Sequence, residues 1–92
     1  MNNKKVYELV PMPGLELVRE DYKTNLQYLR NLKRITQKDL SNRSGVNLSM
    51  IQFYEQGVKD INKAQAMTLY KIALVLETSI ESLLEIKKEV EE

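Results

Sequence analysis

The chain has 92 residues and a formal net charge of +1, and it contains neither cysteine nor histidine. Without cysteine there can be no disulfide or cysteine zinc site, and without histidine the usual general base and most metal sites are missing. No apolar run approaches ~18 residues, and the basic N-terminus is not followed by the apolar block of a secretory signal. We therefore expect one cytoplasmic domain with no membrane span and no cofactor.

The charges are unevenly distributed along the chain. Residues 25–63 contain seven basic and three acidic residues, whereas residues 64–92 contain three basic and six acidic ones. A local positive field attracts phosphate even when the whole protein is nearly neutral. The distribution favours a nucleic-acid partner for the first of these segments, although a small domain can also show such a split by chance.

The N-terminal residues 1–22 lack a helical pattern. Residues 5–10 and 15–18 are strand-like, and the Pro-Met-Pro-Gly sequence at residues 11–14 between them is a strong turn signal. The two prolines cannot donate ladder hydrogen bonds, which disfavours a two-residue hairpin turn. We predict a non-helical arm or a short hairpin over residues 1–22.

Residues 23–86 carry the signals of five helices. Thr24 or Asn25, then Thr36, Asn47, Asn62 and Ser79, are the expected N-caps, and Gly45 and Gly57 follow the second and third helices. The apolar arc of the fourth helix is too wide for a surface helix, so we predict that it is the central core helix. Residues 87–92 are predicted to be a charged C-terminal tail. The predicted helices cover residues 25–34, 37–44, 48–56 and 63–77, with the fifth after Ser79.

The second and third predicted helices, joined at Gly45, have the spacing of a helix-turn-helix. Their inner faces carry four apolar side chains, at Leu40, Val46, Ile51 and Tyr54. The second helix of such a pair can enter the major groove of DNA. The spacing therefore predicts a sequence-specific DNA-binding protein.

Several short motifs follow one another in a fixed order between residues 26 and 84. They are Leu26-x-x-Leu29-Arg30, Ile35-Thr36-Gln37-x-x-Leu40, Ser44-Gly45-Val46, Ile51-x-x-Tyr54-Glu55-x-Gly57, Leu69-x-x-Ile72-Ala73-x-x-Leu76 and Ser79-Ile-x-x-Leu-Leu84. In this order the motifs resemble the Cro/repressor-type helix-turn-helix family of phage repressors and related bacterial regulators. The resemblance implies a compact, all-α, five-helix bundle like that of the lambda repressor. It also implies that the protein binds operator DNA as a dimer.

The resemblance also implies a set of base-contacting residues around the third helix: Asn47, Leu48, Ser49, Gln52 and Phe53. A glutamine amide suits adenine, and a serine hydroxyl suits several bases. Leu48 and Phe53 are less polar than the residues common at such positions. These two side chains either contact thymine methyl groups or pack on the N-terminal arm.

By the same resemblance, phosphate contacts come from Gln37, Lys38, Arg43, Gln56, Lys59 and Lys63. Gln37 begins the second helix, where free backbone N–H groups and the helix dipole favour an anion. It is interpreted as a phosphate clamp, the alternative being an ordinary surface glutamine. Arg30 and Glu55 are expected to form a structural salt bridge between the first and third helices.

The chain departs from the family pattern at three positions. Ser44 stands where an apolar residue is common, which is expected to weaken that contact. Arg34 and Glu77 stand where a glycine often ends the first and fourth helices, so the geometry of those turns is expected to differ.

We expect a homodimeric transcriptional repressor that reads operator half-sites with its third helix. Ile80, Leu83, Leu84, Ile86 and Val90 either offer dimer surface or close the core. One alternative is an antitoxin that regulates its own gene and holds a toxin with its N-terminal arm or acidic tail. Another is a helix-turn-helix scaffold used for protein–protein contact. The sequence shows no catalytic triad, metal cluster or phosphate-binding glycine loop, so we do not expect an enzyme.

Overall fold

Four α-helices and three single 3₁₀ turns make up the part of the protein that its computed structural model describes, residues 17–86. Within these residues there is no β-strand, so the prediction of an all-α fold is confirmed for them. The helices are α1 (Asn25–Leu32), α2 (Gln37–Ser44), α3 (Leu48–Glu55) and α4 (Ala66–Leu76), and the 3₁₀ turns are Arg19–Asp21, Ile61–Lys63 and Glu81–Leu83.

Side-chain caps determine where the first three helices begin. The hydroxyls of Thr24 and Thr36 and the amide oxygen of Asn47 each accept a hydrogen bond from a backbone N–H of the following helical turn. Such a bond satisfies a donor that has no partner inside the helix. Helix α2 begins and ends at the residues predicted from the sequence, because Thr36 caps its start and Gly45, at φ 79°, ends it in the left-handed conformation.

Two helices end on a left-handed residue that is not glycine. Arg34 follows α1 at φ 59°, and Glu77 ends α4 at φ 55°. The glycine-type turn is therefore kept at both positions, and the expected change of turn geometry is wrong. The two helix ends also meet, because Lys33 Nζ lies 2.6 Å from Glu77 Oε1.

The core is assembled around α2, which packs against both α3 and α4, while α1 packs on α3 and on the Glu81–Leu83 turn. Apolar side chains from every one of these elements are less than 2% exposed. They share one continuous cluster, so burial couples elements that are distant in sequence. These fully buried side chains are Leu26, Leu40, Ile51, Ile72 and Leu83.

The prediction that the fourth helix is a central core helix is wrong. One face of α4 is buried, but Met67, Tyr70 and Leu74 are 58%, 51% and 60% exposed. In the described residues the bundle is too small to cover α4 on both sides. The helix also starts at Ala66 rather than at residue 63, because residues 61–63 form a separate 3₁₀ turn capped by the Asp60 carboxylate.

The predicted fifth helix is a single 3₁₀ turn, Glu81–Leu83. Just after it, the Asn62 side chain makes two hydrogen bonds to the Glu85 backbone, at 2.9 Å to its oxygen and 2.8 Å from its nitrogen. Asn25 Nδ2 donates to the carbonyl of Leu84 at 2.7 Å. These side-chain partners hold the backbone extended and take the place of helical hydrogen bonds. The five-helix bundle is thus corrected to four α-helices in residues 17–86.

The predicted N-terminal arm is described only from residue 17 onward. Leu17 and Val18 form no strand, and Arg19–Asp21 is a 3₁₀ turn. The Arg19 side chain donates to the Tyr22 carbonyl at 2.7 Å and also contacts Asn25 and Glu85, so this part of the arm is held on the domain. The hairpin prediction for residues 1–16 and the tail prediction for residues 87–92 lie outside the described residues. None of the helices in residues 17–86 is long and apolar enough to cross a membrane.

Candidate functional site

The turn between α2 and α3 is held by two serine hydroxyls. Ser41 Oγ donates to the Val46 carbonyl at 2.7 Å, and the Val46 N–H donates to Ser44 Oγ at 3.1 Å. Val46 is 8% exposed and belongs to the core cluster. Ser44 is buried as well, and its hydroxyl satisfies a backbone donor that an apolar residue would leave without this partner. The turn therefore fixes α3 relative to α2.

The inner face of α3 contains a buried carboxylate with three donors. Glu55 is 1% exposed, and its carboxylate accepts from Arg30 Nε at 2.6 Å, Arg30 Nη2 at 3.0 Å and Gln37 Nε2 at 3.0 Å. Arg30 Nη1 also donates to the Ile35 carbonyl at 2.7 Å. A paired and hydrogen-bonded charge of this kind fixes geometry. It joins α1, α2 and α3 at one point.

A second bond ties the end of α3 to the start of α1. Thr24 Oγ1 donates to the backbone carbonyl of Glu55 at 3.1 Å while it accepts from the Gln27 N–H at 3.3 Å. Thr24 is 6% exposed, so both bonds are shielded from water. Because α3 is fixed at its first turn and at its last, its outer face is presented in one orientation.

The outer face of α3 and its cap carries the residues predicted to contact bases. Asn47 and Ser49 are exposed, Leu48 and Gln52 are half-buried, and Phe53 is 40% exposed. The oxygen of the Asn47 side chain caps the Ser49 N–H at 2.8 Å, which leaves its NH₂ group free of that bond. The structure brings these five residues together on one exposed side of α3.

Gln37 does not stand free at the start of α2. It is half-buried, and its Nε2 is hydrogen-bonded to Glu55. The backbone N–H groups of Gln37 and Lys38 have no hydrogen-bond partner among residues 17–86, and they lie at the positive end of the helix dipole. The phosphate clamp at Gln37 stays a prediction, and these backbone donors are available to the same phosphate.

The cations predicted to contact phosphate are exposed. Within residues 17–86, Lys38, Arg43, Lys59 and Lys63 form no ion pair, whereas Lys33 is bound to Glu77. The Lys33 hydrogen bond and charge lower the pKa of the Glu77 carboxyl. Because the four cations carry positive charge that no carboxylate of this part neutralises, they can attract phosphate.

The loop after α3 folds back onto the helix. Gly57 has φ 76°, and the Phe53 carbonyl accepts from the N–H groups of Val58 at 2.9 Å and Lys59 at 3.2 Å. Val58 is 67% exposed and stands beside the backbone of the predicted reading face. The sequence interpretation did not single out Val58, although an apolar residue in an otherwise polar loop was the available signal.

The described part offers no convincing site of another kind. A groove of about 290 Å³ is lined by Thr24, Tyr54, Gly57, Lys59, Asp60, Ile61, Asn62 and Glu85. Its lining includes Lys59 and Asp60, but residues 17–86 hold no group of three side chains able to ligate a metal. The outer face of α3 and its basic flanks are therefore the candidate functional site.

A helix-turn-helix family model matches residues 26–83, which is more than half of the chain and includes α2, α3 and α4 in full. The chain belongs to the Cro/C1-type helix-turn-helix family. In this helix-turn-helix protein, α2 and α3 are the two helices of the motif. The family is one of DNA-binding domains and not of enzymes, which supports a DNA-binding regulator. No curated protein and no solved structure matches the chain significantly.

Proposed function

We propose that this helix-turn-helix protein is a transcriptional repressor that binds operator DNA with α3 in the major groove. The observation that carries the proposal is the contrast between the two sides of α3. Its inner side is locked by Ile51, Tyr54 and the Glu55 carboxylate, while its outer side is accessible. A rigidly held helix with a free face is what direct reading of base edges requires.

Phosphate contacts would set the register of this protein on the duplex. The backbone N–H groups at the start of α2 and the Gln37 side chain are suited to one phosphate on the near strand. The remaining contacts come from exposed side chains on α2, at the end of α3 and in the loop that follows: Lys38, Arg43, Gln56, Lys59 and Lys63. Such contacts position the protein without reading sequence.

Sequence would be read by the outer residues of α3 and its cap. Ser49, Gln52 and Phe53 project from the first two turns, and Asn47 and Leu48 flank them at the N-terminal end. In the proposal these side chains meet base edges, since the N-terminal part of a recognition helix approaches the groove floor. If the proposal holds, the protein acts inside the cell, because its DNA partner is there.

A homodimer would place two α3 helices about 34 Å apart on one face of the duplex. Of the C-terminal residues considered for its surface, Leu83 is fully buried and Ile80 and Leu84 pack against the core. The exposed apolar face of α4, formed by Met67, Tyr70 and Leu74, is a better surface for a second copy. It belongs to α4, whereas the reading face belongs to α3.

The location of the dimer surface can be tested by analytical ultracentrifugation. We expect Leu74→Glu to shift the protein toward the monomer, because it places a charge in the apolar face of α4. Ile86→Glu is the matched variant, since Ile86 is 71% exposed at the C-terminal end of the described residues. Dissociation by Ile86→Glu alone would move the interface to that end, and a monomeric wild type would contradict the dimer.

The experiment that tests the function is a binding titration with duplexes from the region around the protein's own gene, at two salt concentrations. We expect tight, salt-dependent binding to one duplex. Gln52→Ala should cost roughly 1–3 kcal/mol and relax specificity, whereas Lys59→Ala should weaken all duplexes alike and lower the salt slope by about one. Binding that ignores both sequence and salt would contradict the proposal.

A protein–protein module on the same scaffold is the second candidate. Phe53 and Val58 are 40% and 67% exposed, and they are neighbours because the Val58 N–H donates to the Phe53 carbonyl. Exposed apolar side chains on a rigid helix and its loop suit a protein partner. This candidate predicts that the wild type does not bind DNA. It also predicts that Phe53→Ala abolishes binding of the protein partner. The antitoxin alternative depends on residues 1–16 or 87–92 and is left as a prediction.

A further inference from the structure

We propose that α3 reads A·T base pairs, with Leu48 and Phe53 against thymine methyl groups and Gln52 against an adenine. The inference rests on the proposed function, in which α3 enters the major groove. It adds the base class of the operator half-site, which neither the fold nor the family membership supplies.

The first argument is the chemistry that the reading face lacks. In the major groove, guanine is read chiefly by arginine or lysine and the cytosine amino group by a carboxylate. Between Asn47 and Gln56 the only charged residue is Glu55. Its carboxylate is 1% exposed and fully engaged by Arg30 and Gln37, so it cannot accept from a cytosine. The usual charged readers of a G·C pair are therefore absent from the outer face of α3.

The second argument is the chemistry that the face does contain. A glutamine amide can donate to N7 and accept from the N6 amino group of adenine, and apolar side chains pack on the thymine methyl group. Gln52 supplies the amide, and Leu48 and Phe53 supply apolar surface. The thymine methyl group and the adenine edge belong to the same A·T base pair, so one base pair can contact an apolar and a polar side chain together.

The arrangement of these side chains fits neighbouring base pairs. Leu48 and Gln52 are four residues apart, as are Ser49 and Phe53, so each pair stands one above the other on adjacent rows of α3. One helical turn rises ~5.4 Å, against ~3.4 Å between successive bases of a strand. Each row, one apolar and one polar side chain, therefore spans one to two base steps. A short run of A·T pairs offers methyl groups and adenine edges at that spacing.

The experiment uses the full chain and a pool of random 24-base-pair duplexes. Repeated selection on the protein should enrich duplexes with A·T pairs at the centre of each half-site. In the enriched duplex, each thymine is then replaced singly by uracil, which removes only the C5 methyl group. For the wild type we expect two positions per half-site at which binding weakens about threefold to fivefold, the value of one buried methyl group.

Protein variants then connect each methyl group to its side chain. Leu48→Ala and Phe53→Ala should each become insensitive to uracil at one of the two positions, while Phe53→Leu keeps part of the sensitivity. Leu32→Ala is the matched control, because Leu32 is apolar and 47% exposed but lies at the end of α1. It should keep both sensitivities. Urea unfolding of each variant checks that it is folded.

The outcomes separate this inference from the function on which it rests. Failure to enrich any duplex would contradict the proposed function. Enrichment of duplexes with G·C pairs at the centre of both half-sites, or of A·T sites indifferent to every uracil, would contradict the reading proposed here and leave operator binding intact.

Discussion

The two faces of α3 differ in how far their side chains are buried and hydrogen-bonded within the fold. On the inner face, Ile51 is fully buried and the Glu55 carboxylate has three donors. On the outer face, Ser49 and Phe53 are exposed. One eight-residue helix thus carries a side that the fold requires and a side that it leaves free. Function is to be sought in the free side, because changes there cost the fold little.

The largest loss of stability is expected when the buried charge on the inner face of α3 loses its ion-pair partner. Arg30→Met leaves the buried Glu55 carboxylate with Gln37 as its one remaining side-chain donor among those observed. We expect the free energy of unfolding to fall by about 3–5 kcal/mol, since an unpaired buried charge is costly. Urea denaturation at neutral pH measures it. The double variant Arg30→Met with Glu55→Met should recover most of the loss; a single variant as stable as the wild type would contradict the structural role of the pair.

A matched pair of alanine variants on α3 compares its two faces directly. Ile51→Ala removes a fully buried side chain and should cost about 2–5 kcal/mol of stability. Phe53→Ala, two residues on, should cost less than about 1 kcal/mol and instead weaken DNA binding. Thermal unfolding and a duplex titration on both variants make the comparison. If Phe53→Ala destabilised the fold as much as Ile51→Ala, the outer face would be structural.

A smaller effect, of the opposite sign, is expected at the end of α1. Arg34→Gly replaces a non-glycine residue at φ 59°, so it should raise the free energy of unfolding by about 0.5–1 kcal/mol. Gly45→Ala is the reciprocal change, at φ 79°, and should lower it by a similar amount. Chemical denaturation of both variants tests the prediction. A destabilising Arg34→Gly would mean that the arginine side chain makes a contact worth more than the strain.

The smallest effect concerns the exposed pair between Lys33 and Glu77. The lysine lowers the pKa of the Glu77 carboxyl, so the pair adds stability above the ordinary glutamate pKa. That contribution is lost as the pH falls through the lowered pKa in the folded state. Carboxyl chemical shifts followed by NMR from pH 7 to 2 should give Glu77 a titration midpoint below the ordinary glutamate value. In Lys33→Ala the midpoint should rise toward the ordinary value, and an unchanged midpoint would contradict the pairing.

Local signals in the sequence were sufficient for the motif itself. The cap at Thr36 and the left-handed glycine at Gly45 fixed both ends of α2, since each acts through hydrogen bonds within one helical turn. The order of motifs also predicted the family correctly, and the apolar spacing predicted the inner face of α3. For α2 and for the inner face of α3, signals three or four positions apart in the amino-acid sequence were enough.

Contacts between distant residues decided the rest. Asn25 and Asn62 bind backbone groups of residues 84 and 85, and this keeps the segment after Leu83 from continuing as a fifth helix. The exposure of Leu74 likewise depends on which elements reach α4, and its apolar period could not reveal that only one face would be covered. Capping and periodicity are local and can be read along the chain, whereas burial and side-chain pairing are settled only when remote segments compete for the same partners.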